Sequence, residues 1–211
     1  MELGFRGLKN DFWIYDLAAF SVFYGDKIGL APKAGTTLKE RTNIGNAQNM
    51  GVELFTEFDF IKALRDSSKQ SLSLFVNAAY IHARYISSKE PNYIGKQVEY
   101  VSPFILKSGV KYKTGAWSFQ VQGSYNSSQF ADASNSVLPS GDAVIGQIPA
   151  YLVFDFSARY TCKKYVQFEA GVNNFTNQQY YTRRAAAYPG PGILPSDGIN
   201  AYLTIQFKIA K

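Results

Sequence analysis

Side chains able to do chemistry are few here, and their spacing excludes more than it suggests. His82 is the single histidine and Cys162 the single cysteine among 211 residues. A nitrogen/sulfur metal site therefore lacks ligands, no internal disulfide can form, and a Ser-His-Asp triad would have to be built on His82 alone. His82 ends a strand-like run beside Ala83-Arg84-Tyr85 and reads as structural or interfacial. Cys162 reads as a turn residue next to Lys163 and Lys164. Glu57 and Asp59 share a strand face, which is the right chemistry for general acid/base work, but on a wet wall the same pair reads as solvated charge, and that reading is preferred. Gly190 and Gly192 stand between prolines and lead into a strand, a context that excludes a nucleotide-binding glycine loop. No catalytic residue, metal ligand set or cofactor is expected. The pair Arg183-Arg184 is the best candidate for chemistry, because guanidinium groups bind carboxylates bidentately. Tyr180, Tyr181 and Tyr188 flank it and could stack on a ligand. The pair also reads as solvated charge.

The elements that must position these residues are strands. Aromatic residues make up 16% of the chain, with 16 Phe and 15 Tyr, and Gly adds 17 more. Aromatic and β-branched residues favour strands, and clusters of Gly, Asn, Asp and Ser favour the turns between them. The expected class is all-β. The net charge of +6 comes from 22 basic residues scattered along the chain, whereas a nucleic-acid binder gathers them into a patch. No run approaches the ~18 apolar residues of a transmembrane helix. The average hydropathy is that of a soluble protein, yet a membrane barrel hides its apolar face by alternating it with polar residues. Met1 to Gly7 lacks the basic start and apolar run of a signal peptide, which for an exported protein leads to the expectation that an upstream part is missing from this sequence.

Alternation with period two is the strongest pattern. Leu203, Ile205, Phe207 and Ile209 oppose Thr204, Gln206 and Lys208. Val166, Phe168, Ala170 and Val172 oppose Gln167, Glu169, Gly171 and Asn173. Leu152, Phe154, Phe156, Ala158 and Tyr160 form another apolar row, as do Trp117, Phe119, Val121, Gly123 and Tyr125, and Leu72, Leu74, Val76, Ala78 and Tyr80. Val52, Leu54, Phe58 and Phe60 oppose Glu53, Glu57 and Asp59. Trp13 to Tyr24 is apolar on both sides, and its faces stay unassigned. About nine strands result, most of them long enough to cross a bilayer at a tilt, about 10 residues.

The connections alternate in length. Short turns are expected at Lys9 to Asp11, Lys113 to Ala116 and Cys162 to Lys164, and a longer polar one at Ile61 to Gln70. Long loops are expected at Ala31 to Arg41, Lys89 to Tyr100, Ala131 to Pro149 and Arg183 to Ile199. Outer-membrane barrels have this asymmetry, with short periplasmic turns and long extracellular loops. Charges on the polar face, among them Glu53, Glu57, Lys107, Lys111, Asp155, Arg159 and Glu169, need a hydrated lumen and so a wide barrel. Trp13, Tyr80, Tyr85, Tyr112, Trp117, Tyr125, Tyr151, Tyr160, Tyr165, Tyr180 and Tyr202 could form two interfacial girdles, or serve in ordinary cross-strand packing.

Three segments carry a family resemblance. Asn43 to Glu53 is similar to an N-x-G-x-A-x-x-x-G-V-E strand start, and Gly171 to Tyr181 to a G-V-x-N-L-F-N-x-x-Y hairpin with Phe175 and Thr176 at L-F. Tyr188 to Gly198 resembles a last extracellular loop. In order and spacing they resemble the C-terminal hairpins of TonB-dependent outer-membrane receptors of the ferric-citrate or siderophore type, over essentially the whole chain. The resemblance implies an antiparallel transmembrane β-barrel, residues 1–211 being a C-terminal segment of about nine strands from a 22-stranded barrel whose plug domain has no counterpart here. It further implies a receptor in the outer membrane of a Gram-negative bacterium and no enzyme. Ferric citrate or a siderophore would be its ligand, with outer-membrane lipid and lipopolysaccharide around it and TonB engaged only through the plug. On that reading Arg183, Arg184, Tyr181 and Tyr188 are the ligand-binding candidates. Two rivals stay open: a passive porin-like or structural outer-membrane barrel, and a soluble β-sandwich carbohydrate-binding module.

Overall fold

Period-two alternation folds into nine long strands paired in one antiparallel sheet. The computed structural model describes residues 1–32, 39–65, 69–162, 165–186, 188 and 190–208. In chain order the strands are β1 (Glu2–Lys9), β2 (Trp13–Pro32), β3 (Lys39–Asp59), β4 (Gln70–Ser88), β5 (Phe104–Thr114), β6 (Trp117–Asn126), β7 (Gln129–Phe130), β8 (Gln147–Ile148), β9 (Tyr151–Cys162), β10 (Val166–Asn173), β11 (Tyr181–Ala185), β12 (Gly192–Pro195) and β13 (Asn200–Phe207). The large sheet runs β1-β2-β3-β4-β5-β6-β9-β10-β13, so neighbours in space are successive long strands in sequence. β7-β8 and β11-β12 are two-stranded sheets inside the long connections. No described helix is long and apolar enough to cross a membrane.

Register carries the alternation across the sheet. Phe58, Leu74, Val110, Val121, Phe156 and Val172 stand opposite one another from β3 to β10, and Leu54, Ala78, Leu106, Tyr125 and Leu152 form a parallel row. A slip of one residue would turn every one of them over. Pairing also resolves the ambiguous Trp13 to Tyr24 run. Trp13, Leu17 and Ala19 lie opposite Phe58, Leu54 and Val52 on the apolar face, and Asp16, Ala18 and Phe20 opposite Phe55, Glu53 and Gly51 on the other. Val110 and Val121 in the middle of the apolar face are 45% and 44% exposed. A sandwich would stack a second sheet about 10 Å away. Among the described residues the other two sheets are two-stranded and sit in connections, so the soluble-sandwich rival is set aside.

The second face is polar, and much of its charge is paired. One row across it reads Glu57, Phe75, Gly109, Gln122, Asp155. Lys111 Nζ meets Glu57 at 2.8 Å, Arg159 meets Glu169 at 2.6 Å, and Asp155 accepts from the Gln122 amide at 3.0 Å and the Asn174 N–H at 2.8 Å.

Several expectations need correcting. The polar turn after β3 contains a helix, α1 (Phe60–Leu64), because the Asp59 carboxylate accepts the N–H groups of Ile61 and Lys62 at 3.1 and 3.0 Å. The β2 and β3 strands run on to Pro32 and resume at Lys39, cutting into the loop placed at Ala31 to Arg41; the rest of that loop, Lys163-Lys164 and Ile209 lie outside the described residues. The loop from Arg183 to Ile199 contains the β11–β12 hairpin. Tyr85 is not a girdle residue: it turns inward and is buried with Ile44, Ala47, Ala83, Val98 and Ala133 where the long connections fold over β3 and β4. Tyr151 and Tyr202 pair with Asn126 and Gly171 on the polar face, and Tyr180 stacks on Tyr151 at 4.5 Å.

The remaining aromatics do fall into two belts. Near the short turns Trp117 packs on Tyr160 at 4.7 Å and on Phe119 at 5.7 Å; near the loops Phe104 packs on Tyr125 at 6.2 Å. From Trp117 to Tyr125 is roughly 26 Å of strand, which at a tilt of about 40° spans about 20 Å, close to the roughly 25 Å apolar band of a membrane barrel.

Candidate ligand site at the loop end

Short turns gather at one end of the sheet and the connections 89–103, 127–150 and 174–199 at the other. Those three connections are knitted to one another. The Gln97 N–H donates to Asn135 Oδ1 at 2.7 Å, the Asn135 amide returns a bond to the Gln97 carbonyl at 2.8 Å, and the Tyr100 N–H donates to the Phe130 carbonyl at 2.8 Å. The third joins through the Tyr181 hydroxyl, which donates to the Gln147 carbonyl at 3.5 Å, and through Arg184. Its Nη1 donates to the Ala143 carbonyl at 2.8 Å, its Nη2 to the Gln147 carbonyl at 3.0 Å and to the Tyr181 hydroxyl at 2.9 Å, while the Tyr100 hydroxyl donates to the Arg184 carbonyl at 2.9 Å. Arg184 is 7% exposed, and its Nε is buried without a hydrogen-bond partner.

These connections enclose a cavity of 670 Å³ lined by, among others, Glu99, Tyr100, Asp132, Arg183, Arg184 and Tyr188. The two arginines do not belong to a long membrane strand. β10 stops at Asn173, and both sit on the separate short strand β11. Successive strand residues point to opposite faces, which sends Arg184 into the protein and leaves Arg183 exposed. The Arg183 guanidinium lies 6.0 Å from the Tyr100 ring centre and makes no hydrogen bond or ion pair with any described residue. Tyr181 is engaged with Arg184, whose guanidinium lies 5.3 Å from its ring. Tyr188 stands 98% exposed at the cavity.

Neither carboxylate at the cavity is ion-paired with an arginine among the described residues. Glu99 binds Lys27 Nζ at 2.5 Å and accepts the Tyr85 hydroxyl at 2.6 Å. Asp132 accepts the N–H groups of Ser134 and Gly146 at 3.0 and 3.4 Å. Burial pushes the Tyr100 hydroxyl above the usual phenol range, an effect the Arg183 charge partly offsets, so Tyr100 stays a proton donor to the Arg184 carbonyl. Tyr100, Glu99 and Lys27 carried no signal in the sequence. Lys27 and Glu99 are 72 residues apart, and only the fold brings them together.

The two strongest sequence motifs serve the backbone. Asn174, buried with φ of 48°, donates to the carbonyls of Gln178 and Asp197 at 2.9 and 3.3 Å and accepts the Gln178 N–H at 2.9 Å. This is the left-handed, locally bonded conformation Asn tolerates. In the other motif Ile44 and Ala47 enter the buried cluster and Gly51 lies under the Phe20 ring. His82 is exposed, opposite Met50. Among the described residues no group of three His, Cys, Asp or Glu could hold a metal.

Known proteins match the chain in both sequence and fold. A family model described as TonB dependent receptor-like, beta-barrel matches residues 1–175. The unliganded ferric citrate transporter FecA superposes with a TM-score of 0.78 at 23% identity, covering 98% of this chain and 30% of that one. The siderophore receptor PiuA from Acinetobacter baumannii gives 0.68 at 19%, covering 98% and 28%. The ferric yersiniabactin uptake receptor FyuA from Yersinia pestis gives 0.68 at 17%, covering 99% and 29%. At these identities the likeness is one of fold. The chain spans about three tenths of the length of each of these structures.

Proposed function

Because the chain belongs to the β-barrel family of TonB-dependent receptors, outer-membrane receptors rather than enzymes, we propose that it is a C-terminal part of the barrel of a receptor importing ferric chelates. In the full-length protein, ferric citrate or a ferric siderophore is the cargo, TonB supplies the energy through the plug domain, and outer-membrane lipid and lipopolysaccharide surround the apolar face. The observation that carries the choice of ligand class is Arg183, a guanidinium at a cavity wall with no partner of opposite charge among the described residues. An oxygen-rich anion meets it bidentately, with the rings of Tyr100 and Tyr188 beside it. Tyr181 and Arg184 support the wall from behind.

The test uses the full-length receptor in outer-membrane vesicles with radiolabelled ferric citrate and a panel of ferric siderophores. Arg183→Ala is expected to weaken binding of the cognate chelate by roughly 10- to 100-fold, the worth of one charge-assisted contact, and Arg183→Glu to abolish it. Unchanged affinity in both variants removes the site. Sugar-permeable liposomes and transport indifferent to TonB would instead support a passive porin-like channel.

A further inference from the structure

Arg184 is buried, and three connections converge on it, two through its side chain and the third through its main-chain carbonyl. It takes carbonyls from Ala143 and Gln147 and a hydroxyl from Tyr181, and its own carbonyl is held by Tyr100. The adjacent residue, Arg183, cannot share that direction, since neighbouring strand side chains diverge. We infer that Arg184 is a positioning residue, a clamp that locks the connections 89–103, 127–150 and the β11–β12 hairpin into one wall and thereby sets where the Arg183 guanidinium is presented to an anionic chelate.

Three features support the clamp. The bonds reach backbone carbonyls rather than acidic side chains, so Arg184 enters the wall with its charge uncancelled and its geometry fixed by the planar fork of its donors. Lysine, a point charge with three rotatable donors, cannot reproduce the two carbonyl bonds and the tyrosine contact together. The cross-links Gln97–Asn135 and Tyr100–Phe130 tie the first two connections to each other without Arg184, and the Tyr181 hydroxyl reaches the Gln147 carbonyl at only 3.5 Å, so the guanidinium supplies the shorter side-chain bonds, at 2.8 and 3.0 Å, between the β11–β12 hairpin and residues 143–147. The role toward the ligand rests on the function proposed above; the clamp does not.

Hydrogen exchange on the ligand-free full-length receptor tests the clamp directly. Arg184→Gln is expected to speed exchange at backbone amides of β11 and of residues 143–147 roughly tenfold or more, Arg184→Lys nearly as much, and Arg183→Gln not at all. Tyr100→Phe removes one bond and Tyr181→Phe two, one of them long at 3.5 Å, and both should give smaller increases, which keeps the test decisive if Arg184→Gln fails to insert. Ferric citrate binding tests the positioning. Arg183→Gln and Arg184→Gln should each weaken it, and the double variant should be no weaker than the poorer single one. Exchange unchanged in Arg184→Gln, or in both tyrosine variants, overturns the clamp. Losses that add in the double variant overturn the positioning role. A wild-type receptor that does not bind ferric citrate counts against the ligand reading of this site, while the exchange result still decides the clamp.

Discussion

Arg183 and Arg184 are chemically identical neighbours with opposite fates, because a strand sends one inward and the other out. Composition marks the pair as notable and cannot say which is which. Asp59 is a similar case: on sequence it is half of an acidic pair, and in the fold it is 5% exposed and bonded to the backbone. Its carboxylate accepts from Ile61, Lys62 and, at 3.4 Å, Leu72, capping α1 and pinning it to the next strand. Asp59→Ala removes the cap and leaves part-buried N–H groups without it, and is expected to cost about 1–2 kcal/mol, read as a shifted midpoint in urea titration of the receptor folded into bilayers. A midpoint equal to that of the parent would show that the cap is dispensable. Glu57, its partner on the sequence, pairs with Lys111 at a partly exposed site, where Glu57→Gln should cost about 1 kcal/mol.

At the scale of the elements, glycines recur directly opposite aromatic rings on the neighbouring strand. The pairs are Gly7–Tyr15, Gly51–Phe20, Gly109–Phe75, Gly123–Phe154 and Gly171–Tyr202. In each, the ring lies over the bare backbone, covering its hydrogen bonds and pinning register. A Cβ at Gly109 would run into the Val121 carbonyl and come within 2.8 Å of the Phe75 ring and 2.9 Å of the Gln122 Cα. Since backbone cannot yield as a flexible side chain can, Gly109→Ala is expected to destabilise by about 1–3 kcal/mol in the same titration. A neutral Gly109→Ala would show that strands β4 to β6 adjust freely. Alternation and the short-turn, long-loop asymmetry were legible because both are local properties of the chain. The glycine–aromatic pairs were not, because they depend on register, which no single strand contains.

For the whole molecule, the decisive question is which face meets hydrocarbon. Val121 and Gln122 are adjacent, midway between the two aromatic belts, and point to opposite faces. Arg at 121 should cost about 2–4 kcal/mol, the depth-dependent cost of a charge at the bilayer midplane, while Arg at 122 should be nearly neutral. The bilayer titration reads both, and similar costs at the two positions would mean that the polar face is not hydrated. Along the same line, the chain refolded without lipid or detergent should not yield a compact, cooperatively melting monomer, because a row such as Phe58, Leu74, Val110, Val121 and Phe156 has no protein layer to bury it.

What the sequence determined by itself is the all-β class, the strand count, the oily and wet faces of most strands and the family. Each follows from periodicity of side chains along one strand, turn chemistry at its ends, or short motifs read in order. The tertiary structure alone decided the sides of β2, the inward turn of Tyr85 and Tyr202, the hairpin within the last connection and the division of labour between Arg183 and Arg184. These depend on which residues of distant strands and loops come to face each other, and the energy that selects among those pairings arises only when hydrogen bonds and packing form between segments far apart in the chain.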